Sequence, residues 1–431
     1  MTRTSETGAG DTGSTGSGPA LGLSRGQALE AYRARESVLY HLREALERCD
    51  TWDAFREDLE SRGLSEARVR QIVDVPVPMD LHLHSTCSDG QVPPAKLAWV
   101  ARAIGLKTVA LADHDSVAGT RALYGEAALL GINVIPAVEL STGRPGLEIL
   151  VYFPDAGRFF AFLTSNRGSR FAKYLETKQA EVHEGTLKVL ESVNRWLKRQ
   201  GIGPEDSITL EELDAWFGGR KPYYPGTVAV LGLKRLDEER RRKLGIRDPR
   251  TFNTKVVTPA LRRLGLAGSS RVSVADATAD VKKQLVSLRK SPAGPVAILG
   301  HPKELVTKGK MSIGQVAKTI EYLTAKLGLD GVEVGCARDS EADVQVWREI
   351  IDEVDAKIEK GTLPAPGPLL VASFSSDFHA LAPGRATGEI TLGFGMLDER
   401  PAYQRGNLRP QTGPDELLEA MRRRAALRRK D

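Results

Sequence analysis

Cysteine is scarce in this 431-residue chain: there are three, Cys49, Cys87 and Cys336, widely separated and in no Cys-x-x-Cys pair. That excludes a disulfide-stapled scaffold and a thiolate zinc site, and it points to a reducing compartment, with the cytoplasm as the expected location. No apolar run approaches the roughly 20 residues that span a bilayer, so no membrane partner is expected. No hydrophobic core segment follows the N-terminus, which argues against a secretory signal. A large charge of one sign is also missing: 61 basic and 56 acidic residues leave +5, too little to mark a nucleic-acid binder by itself. What remains, 41% hydrophobic and 27% charged, describes a soluble globular protein with room for a large core and appendages.

Histidine is scarce too, yet it is placed with a pattern. Five of the seven histidines fall in short motifs at the ends of apolar runs: Asp80-Leu-His82-Leu-His84, Asp113-His114-Asp115, His301-Pro302 and Asp377-Phe378-His379. Asp89 and Glu139 occupy matching positions after runs of their own. Imidazoles and carboxylates gathered at strand ends are how a barrel enzyme holds divalent metals. His41 and His183 belong to no such motif and read as structural.

The rhythm along the chain divides it. Residues 1–20 are Gly, Ser and Thr with little apolar content, so a disordered tail is expected. Over 21–74, Leu29, Tyr32, Leu39, Leu42, Leu46, Phe55 and Leu59 recur at helical spacing, predicting a helical extension. From 75 to 155 and again from 293 to 400, apolar strands alternate with amphipathic helices. That is the β-α unit of a parallel barrel or layered sheet. Expected strands there are 77–84, 108–112, 132–138, 147–153, 296–299, 331–334 and 369–374. Residues 156–292 interrupt them with charged helices and one short apolar segment, Val228-Ala-Val-Leu231, and read as a helical insertion. Residues 401–431 end in a basic helix. That tail (Arg422–Lys430) and Arg240-Arg-Arg-Lys243 are either solvated helix ends or contacts to a polyanion.

The chemistry follows from residue type. His82 and His84 are two apart on a strand, so both imidazoles face one side. Asp377 and His379 repeat that spacing. Asp89 lies in a loop with Gly90 at its turn. His114 sits between Asp113 and Asp115, one of which could orient its second nitrogen; helix N-capping is the alternative for both. Glu139, closing an apolar strand, is placed to bridge two cations. Nitrogen and oxygen donors without thiolate suit Zn²⁺, Mn²⁺ or Fe²⁺. Closely spaced cations serve phosphoryl transfer by neutralising phosphate oxygens and acidifying a water, which becomes the nucleophile. Lys303, Arg338 and Arg385 follow the same strand ends and are candidates for phosphate binding.

In order and spacing, Asp80-Leu-His-Leu-His-Ser-Thr-Cys-Ser-Asp-Gly90, Ala110-Leu-Ala-Asp-His-Asp115, Val138-Glu139, Gly300-His-Pro302, Gly331-Val-Glu-Val334 and Ser376-Asp-Phe-His379 resemble the PHP (polymerase and histidinol phosphatase) family. They most resemble its phosphoesterase branch, which hydrolyses nucleoside 3′,5′-bisphosphates and short oligoribonucleotides. The resemblance implies a distorted (β/α)7-type α/β barrel and a metal-dependent hydrolase of phosphate esters. It implies two or three divalent ions and a phosphorylated small molecule or oligonucleotide as substrate. His82, His84, Glu139, Asp377 and His379 would be catalytic. One ion would take His82, His84, Glu139 and Asp377, a second Asp89, His114 and His379, and a third Glu139 and His301. The branch normally places a histidine ligand where this chain has Glu148, which becomes a candidate for the third ion. It also carries an arginine–histidine pair in the insertion near Tyr224, absent here.

Two other readings compete. An amidohydrolase also begins with His-x-His on a barrel strand, but Asp89-Gly90 and the paired Asp377 and His379 count against it. A barrel that has become a scaffold or nucleic-acid clamp would have no need of a near-complete ligand set.

Overall fold

The computed structural model describes residues 25–73, 75, 78–266, 268, 270–336, 339–364, 370–379 and 414–427. The expected tail at 1–20 lies outside them, as do Arg338 and Arg385. Seven strands form one sheet in sequence order: β1 Met79–Leu83, β2 Thr108–Leu111, β3 Asn133–Ser141, β4 Glu148–Tyr152, β5 Val296–Leu299, β6 Gly331–Gly335 and β7 Val371–Phe374. The sheet curls until its edges meet. Leu83 bridges Phe378 in parallel, and the His84 N–H donates to the Phe378 carbonyl at 2.8 Å. Asp80 Oδ1 accepts from the Ser376 N–H at 3.0 Å across the same seam. The result is a distorted α/β barrel.

The expected all-parallel rhythm needs one correction. β4 runs antiparallel to both β3 and β5. Its connection to β3 is residues 142–147, far shorter than the dozen or so residues a parallel crossover requires. β3 therefore extends to Ser141, past its expected end at residue 138, because β4 supplies hydrogen-bond partners there. Reversal also matters for the site: β4 presents its first residue, Glu148, at the mouth where the other strands present their last.

Apolar side chains fill the barrel, among them Leu81, Ile135, Ala137, Leu150, Tyr152, Val296 and Ile298. The C-terminal helix, Pro414–Leu427, closes that core with Leu417, Leu418 and Met421. Its basic run is divided accordingly. Arg422 and Arg423 are exposed, but Arg424 is buried and meets Asp330 at 3.2 Å. The reading of this run as uniformly solvated or polyanion-binding is corrected for that residue.

The helices Arg25–Arg48, Trp52–Ser61 and Glu66–Val73 pack Leu42, Phe55, Leu59 and Val69 against Leu97 and Val100 of the Pro94–Ile104 helix. The helices between β4 and β5 have a core of their own, including Val193, Leu197, Phe217, Leu231 and Phe252. The 34-residue helix Asn166–Arg199 joins the two bodies. Its Phe171 and Leu175 enter the barrel's outer core, while Val193 and Leu197 enter the core of the insertion. The short apolar segment Val228–Leu231 is helical, within Pro225–Lys234, where a proline at the first turn favours a helix start. Among the described residues no helix is long and apolar enough to cross a membrane.

Candidate active site

All seven strands deliver polar side chains to one mouth of the barrel. His82 Nε2 lies 3.0 Å from His84 Nε2 and 3.1 Å from Glu139 Oε2. Asp377 Oδ1 is 3.2 Å from His84 Nε2. Glu139 has its other oxygen, Oε1, 2.9 Å from His301 Nε2, and His114 Nδ1 is 3.2 Å from Oε2. Asp89 reaches His379 Nε2 at 3.3 Å and His84 Nδ1 at 3.5 Å. Glu148 Oε2 is 3.4 Å from His301 Nε2. The nine residues expected as ligands are thus brought together. Their donor atoms form overlapping groups: His84, Asp89, His114 and His379; His82, His84 and Asp377; His82, Glu139 and His301; His114, Glu139 and Glu148. His84 belongs to the first two groups, so it links two ligand sets that the resemblance keeps separate.

Burial makes this arrangement costly unless charges compensate. Burial disfavours an imidazolium at His82, but Glu139, Glu333 and Asp377 outweigh it and hold its pKa well above the usual value. Burial likewise opposes the Glu139 carboxylate, and the surrounding histidines His114, His82 and His301 overcome it and hold its pKa well below the usual range. The cluster therefore favours protons or cations among its carboxylates. The buried Nδ1 of His301 has no hydrogen-bond partner, and that of His114 lies 3.2 Å from Glu139 Oε2 without hydrogen-bond geometry. Nitrogen and oxygen donors in overlapping groups, with such nitrogens among them, fit divalent cations.

Backbone conformation contributes. Asp115, His301 and Asp377 have positive φ (46°, 22° and 55°), which non-glycine residues adopt at a cost. All three stand at strand exits beside the cluster. Gly90 is required by close approach: a Cβ there would lie 2.5 Å from the His84 carbonyl carbon.

Asp113 and Asp115 act in a way the sequence did not suggest. The next helix starts at Thr120, with Gly119 as its N-cap, so neither is a cap. Asp113 accepts from the Ser85 N–H and Oγ, both at 2.7 Å, and from Ser88 Oγ at 2.6 Å, which fixes the loop carrying Asp89. Asp115 accepts from the Ser141 N–H at 3.2 Å. Neither orients His114.

Orientation of the imidazoles comes from elsewhere. Glu333, buried in β6, accepts from His82 Nδ1 at 3.2 Å and from the His301 N–H at 2.9 Å, and it also accepts from Ser375. His379 Nδ1 donates to the Asp377 carbonyl at 2.9 Å, which leaves Nε2 facing Asp89. Such outer partners set the tautomer of a ligating histidine. Glu333 was visible as a charge inside the apolar run Gly331-Val-Glu-Val334, but its partner lies 251 positions away. Lys303 Nζ is held by Asp343 at 2.6 Å. The insertion reaches the mouth through Tyr224, whose hydroxyl donates to the His114 carbonyl at 3.4 Å, and through Gln179, which donates to the Cys87 carbonyl at 3.4 Å.

A barrel with histidines and carboxylates converging at one mouth has the build of a multi-cation hydrolase scaffold. Residues 80–221 match the PHP domain. Over 70 residues it is 45% identical to a 5′-3′ exoribonuclease of Haemophilus influenzae, covering 16% of this chain and 26% of that one. Over 100 residues it is 36% identical to the 5′-3′ exoribonuclease Rnm of Salmonella typhimurium, covering 21% and 34%. The chain thus spans about a quarter to a third of the length of these relatives. A solved structure from Bifidobacterium adolescentis, provisionally named a metal-dependent phosphoesterase, aligns over 80% of this chain and 96% of its own at 19% identity and a TM-score of 0.49.

Proposed function

We propose that the protein is a metal-dependent phosphoesterase whose substrate is a nucleotide or a 5′-phosphorylated oligonucleotide. The observation that carries this reading is the convergence of His82, His84, His114 and His301 on the two oxygens of one buried carboxylate, Glu139. A carboxylate so surrounded is placed to bridge cations. The similarity to exoribonucleases over 70 and 100 residues supports the substrate class.

His82, His84, Glu139 and Asp377 would hold one ion, Asp89, His114 and His379 a second, and Glu139, Glu148 and His301 a third. Mn²⁺, Zn²⁺ or Fe²⁺ bound there would supply charge neutralisation for phosphate oxygens and an acidified water. The chain's own residues do the rest. Glu333 and the Asp377 carbonyl keep Nε2 of His82 and His379 turned to the cluster. Asp113 holds the 85–90 loop rigid, so Asp89 needs no reorganisation. Tyr224 and Gln179 bring the insertion over one side of the mouth, where it can limit water and shape the entry of a strand. Lys303, Arg338 and Arg385 remain our candidates for phosphate contacts, Lys303 once released from Asp343.

The test is hydrolysis of a panel with added Mn²⁺, Zn²⁺ or chelator: a simple phosphomonoester, a nucleoside 3′,5′-bisphosphate, and 5′-phosphorylated RNA and DNA. Turnover that chelator abolishes, and that His82→Ala and Asp377→Ala both lose, is expected. Turnover that survives either variant would refute the assignment.

A further inference from the structure

The two ends of the cluster differ in donors. Around Asp89 stand three imidazoles, His84, His114 and His379, with one carboxylate. Around His301 the ratio reverses. Its Nε2 faces Glu139 Oε1 at 2.9 Å and Glu148 Oε2 at 3.4 Å, and its Nδ1 faces Glu304 Oε2 at 3.7 Å.

An imidazole can offer Nε2 as a donor only if Nδ1 keeps its proton, and a buried N–H needs an acceptor. His301 Nδ1 is buried and has no hydrogen-bond partner. The carboxylate in front of it is Glu304, only 4% exposed. Glu304 is fixed from several sides. Its N–H donates to the His301 carbonyl at 2.8 Å, and its carbonyl accepts from the Lys308 N–H at 2.7 Å. Lys308 Nζ lies 2.5 Å from Oε2. The β3–β4 turn presses on the same corner: a Cβ on Gly146, at φ +72°, would lie 2.5 Å from the Glu304 carbonyl oxygen. The arrangement repeats that of Glu333 behind His82, where the gap is already 3.2 Å.

We propose that Glu304 is the positioning carboxylate of His301, and that Glu139 and Glu148 beside its Nε2 make the β4–β5 end an oxygen-rich position. That position takes a harder divalent cation, of the Mn²⁺ class, than the imidazole-rich end around Asp89. Carboxylates suit Mn²⁺, whereas imidazoles suit Zn²⁺. The inference rests on the reading of the cluster as a cation centre, though not on which ester is cleaved.

The test uses the full chain stripped of metal, given a single equivalent of Zn²⁺ and titrated with Mn²⁺, with free Mn²⁺ read by electron paramagnetic resonance. The wild type should keep its Zn²⁺ and bind Mn²⁺ beside it. Glu304→Gln should weaken one class of Mn²⁺ binding by about 10- to 100-fold and leave the Zn²⁺ in place. Glu148→His, given two equivalents of Zn²⁺ in place of one, should hold the second at the same position and bind correspondingly less Mn²⁺. A Glu304→Gln isotherm that superimposes on the wild type overturns the proposal. So does loss of Zn²⁺ and Mn²⁺ together, which marks a general structural effect. Binding as expected without hydrolysis of any ester leaves this proposal standing and refutes only the phosphoesterase reading.

Discussion

The two mouths of the barrel are built from opposite materials. At one, buried histidines and carboxylates face one another and three non-glycine residues hold positive φ. At the other, Leu417, Leu418 and Met421 seal an apolar interior, and the buried charge there is the Arg424–Asp330 pair. Leu81 points into the apolar core while its neighbour His82 belongs to the cluster, so the change occurs within one strand. The difference teaches that the same sheet separates two tasks. One end holds the fold together, and the other keeps charged groups close enough that they need a cation or a proton between them.

If the tasks are separate, variants at each end should be read by different measurements. The largest effect on stability belongs to Arg424→Ala. It leaves Asp330 buried with one close cation fewer, and about 3–5 kcal/mol of unfolding free energy should be lost. Denaturant melts check this, and metal content per folded chain should stay the same. A loss of metal at equal folded fraction would break the separation.

Glu333→Gln comes next. Glu333 accepts on both oxygens, from His82 and Ser375 on one and from the His301 N–H on the other. An amide can accept on one only. Cation affinity should fall by about 10- to 100-fold, measured by calorimetric titration.

The smallest effect is a pH dependence. Burial pushes the Asp355 carboxyl up to about 6 from 3.8, although it accepts from the Leu370 N–H. A carboxyl whose folded pKa is raised is stabilising in its neutral form. Its contribution is therefore full below 3.8 and lost as pH rises through about 6. Asp355→Asn should stabilise the fold above that window by about 1 kcal/mol, a figure reduced for partial exposure, and leave it unchanged at pH 3.5 or below. Equal gains at both ends of the pH range would show that the group does not titrate as its burial implies.

Much of the candidate site was legible because most of its residues end or follow an apolar run of strand type. Val296–Leu299, for instance, is a strand over the span expected, and His301 follows it. Other features depended on strand pairing, turn residues and contacts rather than on residue type. The direction of β4 and the extension of β3 to Ser141 come from pairing with each other. Val228–Leu231 was too short for its periodicity to separate strand from helix, and Pro225 decided the matter. The tasks of Asp113 and Glu333 became visible only when their partners were brought beside them.

The most direct measurement is cleavage of a 5′-phosphorylated oligoribonucleotide by metal-free protein as Mn²⁺ is added, with bound metal counted per chain. Turnover should be absent at zero occupancy, rise with it to a plateau, and stay absent in Glu139→Gln. Full occupancy in the wild type with no cleavage of this or any other phosphate ester would contradict the account.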